Sequence, residues 1–79
     1  MEKAEITEKI RTVVASVVKH ENFVMTDELQ ASDVEGWDSL THMVIITSIE
    51  EQFKIRFRLK ELNKLQNIGS LVELIQSKL

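Results

Sequence analysis

Residues 35–43 read Glu-Gly-Trp-Asp-Ser-Leu-Thr-His-Met, and this stretch predicts where the central helix of the fold begins. An acid, Asp38, stands directly before Ser39, and an amphipathic pattern follows. A group joined to Ser39 through a phosphate would lie at a helix N-terminus, where free backbone N–H groups and the positive end of the dipole favour an anion. The position of Ser39 therefore suits covalent modification better than catalysis.

The helix that begins at Ser39 is predicted to end at about Phe53 or Lys54. At 100° per residue its two faces separate. The predicted core face contains His42, Ile45, Ile46, Ile49 and Phe53, and the opposite face contains Leu40, Val44, Thr47 and Glu51. A solvated face should be polar, yet Leu40 and Val44 are apolar and lie beside Ser39. We interpret them as contact residues, although single exposed apolar residues are common on any surface.

The first helix and the loop after it are predicted from the scarcity of backbone breakers and from periodicity. The chain has no proline and only two glycines, which favours helix throughout. A helix from about Glu2 to Lys19 would bury one stripe, made of Ile6, Ile10, Val13, Val14 and Val17. Residues 21–38 show no period and predict a long loop. The side chains expected to fix this loop on the core are Phe23, Val24, Leu29 and Val34.

The C-terminal third gives one ambiguous pattern and one clear one. Residues 53–60 alternate apolar and basic side chains, which locally favours a strand, but a lone strand would leave its backbone groups unpaired. We therefore reject a sheet and assign the chain to the all-α class. Ser70 and Glu73 fit a capping box at the start of the last helix. Its expected buried stripe is Leu71, Leu74 and Ile75.

Composition limits the possible functions. The chain has 79 residues, 43% of them hydrophobic, and we expect residues 1–79 to form a single small domain. The chain has no cysteine, and two histidines without a thiol make no convincing metal site. Residues 1–10 do not resemble a signal peptide and no apolar run could span a bilayer, so we expect a cytoplasmic protein. A net charge of −3 does not by itself indicate a membrane or nucleic-acid partner.

The sequence around Ser39 resembles the phosphopantetheine attachment site of acyl and peptidyl carrier proteins. The residues that carry this resemblance are Asp38-Ser39-Leu40, with Gly36 upstream and Thr41, His42 and Met43 downstream. The resemblance covers nearly the whole chain. It implies a small four-helix bundle with a long loop between the first two helices and a short third helix. That helix is expected at about residues 59–64, after extended backbone at residues 55–57. Four side chains would then close the core: Ile55, Phe57, Leu62 and Leu65.

The resemblance also implies a function without catalysis by this chain. A phosphopantetheinyl transferase would use magnesium to attach 4′-phosphopantetheine from coenzyme A to Ser39, and the thiol of the arm would carry an acyl group as a thioester. A loading ligase or acyltransferase and downstream biosynthetic enzymes, in fatty acid or polyketide synthesis for example, would be the partners of a monomer. The implied recognition residues are Asp38, Leu40, Met43, Val44, Thr47, Glu50 and Glu51. The resemblance implies that Asp38 contacts the transferase electrostatically or organises its metal site, with a helix cap as the alternative role. Trp37 is expected to be a packing residue at the helix start.

Other functions fit the same residues less well. Asp38, Ser39 and His42 are the residue types of a hydrolytic triad, but the acid adjoins the serine and no nucleophile-elbow motif is present. The basic residues between 54 and 60 could follow a phosphate backbone, but no aromatic platform or net positive charge supports a nucleic-acid-binding module.

The same basic residues depart from the resembled family. Many fatty-acid carriers are acidic through this region, whereas here Lys54, Arg56, Arg58 and Lys60 are cationic. We therefore expect a dedicated biosynthetic pathway rather than general fatty-acid synthesis. An aminoacyl or peptidyl carrier of a nonribosomal-type pathway remains the alternative, because the sequence does not identify the cargo.

Overall fold

The computed structural model describes all residues 1–79 and confirms an all-α chain with four helices, a long first loop and a short third helix. The helices are α1 (Lys3–Val18), α2 (Ser39–Phe53), α3 (Leu59–Leu62) and α4 (Ile68–Lys78), and a 3₁₀ turn, Ala31–Asp33, lies within the long loop. α1 packs against both α2 and α4. None of the four combines the length and the apolar character needed to cross a membrane.

α1 and α2 end where predicted, to within one residue. Each ends because the next residue turns into the left-handed region, with φ of 64° at Lys19 and 57° at Lys54. The predicted stripe of α1 is buried apart from Val17, which is half-buried against the core. On α2 the four apolar members of the predicted core face are buried, and His42 is half-buried. Helical periodicity therefore identified the central packing correctly.

One predicted anchor of the long loop is wrong. Phe23 and Leu29 pack half-buried on the core and Val34 is buried, but Val24 is 74% exposed. Its neighbour Met25 packs on the core instead. Consecutive side chains in extended or tightly turned backbone point in different directions, so only one of the two can reach the core. The turn is tight here, since the Thr26 N–H donates to the Val24 carbonyl oxygen at 2.8 Å.

The predicted start of α4 is also wrong, because Asn67 caps the helix in place of Ser70. The Ser70 N–H donates to Asn67 Oδ1 at 2.9 Å, and the Asn67 N–H donates to Ser70 Oγ at 3.1 Å. Asparagine caps helices as well as serine does, so a capping box that starts three residues earlier replaces the one with Glu73. The helix therefore begins at Ile68. Its buried residues are Ile68, Leu71, Val72 and Ile75, and Leu74 is half-buried.

The long loop and the start of α4 are joined by backbone hydrogen bonds. The Ile68 N–H donates to the Leu29 carbonyl and the Gly69 N–H to the Asp27 carbonyl, both at 2.9 Å. A Cβ atom at Gly69 would lie 3.0 Å from Asp27 Cβ, closer than side chains normally approach. Glycine at this position therefore permits the close contact that attaches the loop to the bundle.

Residues 55–58 have no regular secondary structure, and the backbone is extended at Arg58. α3 follows as predicted, though it ends at Leu62. Ile55, Phe57 and Leu65 pack against the core. Leu62 is half-buried but is not among the residues that pack there, so it does not close the core as predicted. The chain contains no strand, and the rejection of a sheet is confirmed.

Candidate functional site

The turn that leads into α2 rests on the end of α1. Gly36 has φ of 87°, a conformation that favours glycine, and a Cβ atom there would lie 3.5 Å from Val18 Cβ. The His20 ring also ties the two segments together. Its Nδ1 accepts from the Asn22 N–H at 3.1 Å, which assigns the proton to Nε2, and Nε2–H donates to the Glu35 carbonyl at 2.6 Å. Only the fold reveals this contact, because residues 20 and 35 are far apart in sequence.

Asp38 is the N-cap of α2. Its Oδ1 accepts from the Thr41 N–H at 2.9 Å and from the Leu40 N–H at 3.0 Å. The Asp38 N–H donates to Thr41 Oγ1 at 2.8 Å, and the Thr41 hydroxyl donates to the Gly36 carbonyl at the same distance. These bonds, the one from the Thr41 N–H above all, lower the pKa of the Asp38 carboxyl group below its ordinary value. Asp38 is therefore ionised and a weak base, which suits a cap and not a general base.

Ser39 is the first residue of α2 and is exposed. The hydrogen bonds around the helix start join Asp38, Thr41 and Gly36 and leave out the Ser39 hydroxyl. From the sequence we expected free backbone N–H groups for an anion on Ser39. The N–H groups of Leu40 and Thr41 are instead bonded to Asp38 and are not free. The positive end of the helix dipole would still favour a phosphate attached to Ser39, next in sequence to an ionised carboxylate. An exposed hydroxyl without competing bonds fits covalent attachment of a large group.

His42 does not form a triad with its neighbours. The Trp37 Nε1–H donates to His42 Nδ1 at 3.1 Å, and the two rings stack with centroids 6.1 Å apart. The imidazole therefore bonds to an indole rather than to Ser39 or Asp38, and the arrangement of a hydrolytic triad is absent. Trp37 packs on the core, as predicted for a residue at the helix start. The structure also brings together no group of three or more histidine, aspartate or glutamate residues that could hold a metal ion.

Behind this pair lies a small cavity that the sequence did not reveal. Its volume is about 60 Å³, and apolar side chains from the long loop, α2 and α4 line most of it. They include Leu29, Trp37, Ile46, Ile68 and Leu71. No sequence signal indicated it, because its walls come from segments that are distant in the chain.

The predicted recognition residues divide into two groups. Leu40 is 77% exposed, Met43 54% and Val44 49%, and they line a shallow groove with Thr47, Ser48 and Glu51. Glu50 lies apart from this groove and has a structural bond: its Oε2 accepts from the Phe57 N–H at 2.8 Å. The structure thus groups five of the predicted contact residues near Ser39 and gives Glu50 a role in holding the segment after α2.

The chain is similar to known proteins of one family. A family model described as phosphopantetheine attachment site matches residues 8–75. The chain is 27% identical over 77 residues to the mitochondrial acyl carrier protein 2 of Arabidopsis thaliana, covering 98% of this chain and 61% of that protein. It is 25% identical over 77 residues to the acyl carrier protein of Thermotoga maritima, covering 98% and 95%.

A solved structure is similar as well. The solution NMR structure of a holo acyl carrier protein from Geobacter metallireducens superimposes with a TM-score of 0.85 at 38% sequence identity. The match covers 92% of this chain and 84% of that one.

Proposed function

Because the chain belongs to the acyl carrier protein family, whose prosthetic group is a covalently attached 4′-phosphopantetheine, we propose that it carries acyl groups as thioesters on an arm attached to Ser39. Carrier domains of this family are generally not catalytic, and the proposed role asks for no chemistry from this chain. Residues 1–79 would make up one carrier domain that acts in the cytoplasm.

The observation that carries the proposal is the Ser39 hydroxyl, exposed at the first position of α2 and outside the capping network. Ser70 gives the contrast within the same chain. It is half-buried near the start of α4, where its hydroxyl donates to the Asn67 carbonyl at 2.8 Å and accepts two backbone N–H groups. A hydroxyl used in this way cannot accept an arm without loss of the cap, whereas Ser39 can.

The residues around Ser39 hold the nucleophile rather than activate it. Asp38 and Thr41 fix the first turn of α2, so that the serine projects from a rigid helix start. Ser39 Oγ would attack the pyrophosphate of coenzyme A, so that the new phosphodiester bond forms as the phosphoanhydride bond breaks and adenosine 3′,5′-bisphosphate leaves. The transferase would accept the hydroxyl proton, because the lowered pKa of Asp38 makes it a poor base. When attached, the arm supplies the terminal thiol that holds the cargo.

The groove beside Ser39 supports a role in partner recognition. Leu40, Met43 and Val44 expose apolar surface next to a site where the transferase and a loading ligase or acyltransferase must both dock. Thr47 and Glu51 continue the groove and add polar contacts. We also propose partner contacts by Asp38, at the start of α2, and by Glu50, in the adjoining groove with Lys54 and Arg56, with a dedicated biosynthetic pathway as the setting.

Intact-mass spectrometry tests the attachment site. Apo protein, coenzyme A, magnesium and a promiscuous phosphopantetheinyl transferase should give one added phosphopantetheinyl group per chain. Ser39→Ala should accept none and should stay folded, because surface substitutions usually change stability by less than about 0.5 kcal/mol. Ser32→Ala, which removes another exposed serine close in sequence, is the matched control and should be modified fully. Modification of Ser39→Ala, or none of the wild type, would refute the proposal.

A further inference from the structure

The segment after α2 presents a run of cations that form no ion pair. Lys54, Arg56, Arg58, Lys60 and Lys64, here called the cationic track, are all exposed. The ion pairs of the structure involve other cations: Arg11 pairs with Glu8 and Glu21, and Lys78 pairs with Glu61. Glu61 is the only acid in the segment, and it also accepts the Arg58 N–H at 2.8 Å. Glu50 and Glu51 line a groove with Lys54 and Arg56, but five cations still outnumber the three acids around them, in a chain whose net charge is −3.

The packing of the alternate residues explains why the cations point outward. Ile55 and Phe57 pack against the core, so the residues between and beside them face solvent. The alternation that resembled a strand in the sequence is thus a one-sided segment that covers the bundle with its apolar side. Its other side is a row of positive charge.

The track runs beside α2 toward Ser39. Phe57 is bonded to Glu50 near the end of α2, whereas Leu65 lines the same cavity as Trp37 and His42 near its start. The grooves of the surface are also continuous. The groove formed by Lys54, Ile55 and Arg56 shares Thr47 and Glu51 with the apolar groove beside Ser39. One surface therefore extends from the attachment site to the track.

An exposed leucine lies within the track. Leu59 is the first residue of α3, stands between Arg58 and Lys60, and is 76% exposed. Interface anchors are often apolar side chains surrounded by charged residues. The apolar side chain fills a recess on the partner, and the charged residues form the rim of the interface. Isolated exposed leucines are common, but this one lies among cations that form no ion pair.

We propose that the cationic track and Leu59 dock an acidic patch, with an apolar recess for Leu59, on the enzyme that loads or receives the cargo. The inference rests on the proposed carrier function. Charge complementarity would steer the encounter, and the continuous groove would align the partner with the arm on Ser39. A nucleic acid fits less well, because the chain is acidic overall and the aromatic side chains near the track are half-buried against the core.

NMR titration of nitrogen-15-labelled protein tests the surface. The probe is a synthetic amphipathic helical peptide with glutamates around a leucine- and alanine-lined face, and its glutamate-to-lysine version is the control. The acidic peptide should saturably shift amides of residues 54–64 and of the groove beside Ser39, whereas the lysine peptide should not. Binding should weaken as ionic strength rises from 0.01 to 0.15 M, because the screening length falls from about 30 Å to about 8 Å.

Matched variants separate the track from net charge. Arg56→Glu with Lys60→Glu should weaken peptide binding by roughly tenfold, because several exposed charge pairs are lost or reversed. Lys3→Glu with Lys9→Glu makes the same change of net charge on α1 and should leave binding nearly unchanged. Leu59→Ala should also weaken binding, whereas Val24→Ala, equally exposed but outside the track, should not.

Several outcomes would overturn the inference. These are equal shifts with both peptides, shifts confined to α1, equal loss in both charge-reversal variants, or larger shifts of the track amides with phosphatidylglycerol vesicles or single-stranded RNA than with the acidic peptide. The titration uses apo protein and Ser39→Ala, so its result is independent of arm attachment. Failure of attachment at Ser39 would refute the function alone, and failure of the titration would refute the docking surface alone.

Discussion

The two faces of α2 contain equally apolar residues and have opposite surroundings. Ile45, Ile46, Ile49 and Phe53 on one face are at most 7% exposed, whereas Leu40 and Val44 on the other are 77% and 49% exposed. The difference lies in the neighbours, since α1 packs against one face and no helix covers the other. Hydrophobicity therefore predicts that a side chain will seek a contact but does not predict which molecule will supply it.

The same contrast recurs among the charged residues of α2. Glu50 and Glu51 are adjacent in sequence and identical in type, yet Glu50 bonds to the backbone of Phe57 while Glu51 lines the exposed groove. One glutamate holds the fold and its neighbour is available to a partner. Substitutions that separate stability from recognition can test this division.

The largest expected effect comes from the core face. Phe53→Ala should reduce the free energy of unfolding by about 3–5 kcal/mol, because it removes a buried aromatic ring and leaves a cavity. That loss is a large part of the stability of so small a domain. Val44→Glu on the outer face should change stability by less than about 0.5 kcal/mol while slowing loading by the partner. Urea denaturation measures the stability of the two variants, and the rate of acyl loading is compared between Val44→Glu and the wild type. Similar losses of stability in the two variants would refute the division of the faces.

The adjacent glutamates should differ by a smaller amount. Glu50→Ala should cost about 1–2 kcal/mol, because the half-buried Phe57 N–H loses its charged acceptor. Glu51→Ala is the matched control and should change stability by less than about 0.5 kcal/mol. Hydrogen exchange should also show faster exchange of the Phe57 amide in Glu50→Ala only. Equal denaturation midpoints for the two variants would mean that the bond contributes nothing.

The smallest expected effect depends on pH and concerns Asp38. Its pKa is lowered in the folded state by the hydrogen bond from the Thr41 N–H, so its stabilising contribution is complete above the unfolded pKa and is lost as pH falls through the folded one. Asp38→Ala should therefore melt a few degrees below the wild type at pH 7, and the difference should shrink below about pH 4.

Glu28→Ala controls for the loss of a carboxylate. Glu28 is exposed and its side chain makes none of the hydrogen bonds of the structure, so its variant should track the wild type across the same pH range. A melting difference for Asp38→Ala that stays constant down to pH 3 would show that the ionised cap is not the cause.

Particular residues show how far sequence reasoning extended into the fold. Periodicity identified the buried residues of α1 and α2 because a helix long enough to show its period is fixed by local geometry. Sequence reasoning failed at Val24, in a loop without a period, and at Ser70, where a capping motif offered two candidates of similar quality three residues apart. Met25 and Asn67 were chosen by contacts with the rest of the bundle, such as the bonds from α4 to the long loop.

The sequence alone determined the helical class, the extent of α1 and α2, and the serine that follows an acid at a helix start, because each depends on residues close together in the chain. Tertiary structure decided that Glu50 holds Phe57 and that His20 holds the turn before Ser39. It also decided that the cationic track and the apolar groove form one surface. These features join segments that are separate in sequence, and such contacts exist only once α1, α2 and α4 have packed around a common core.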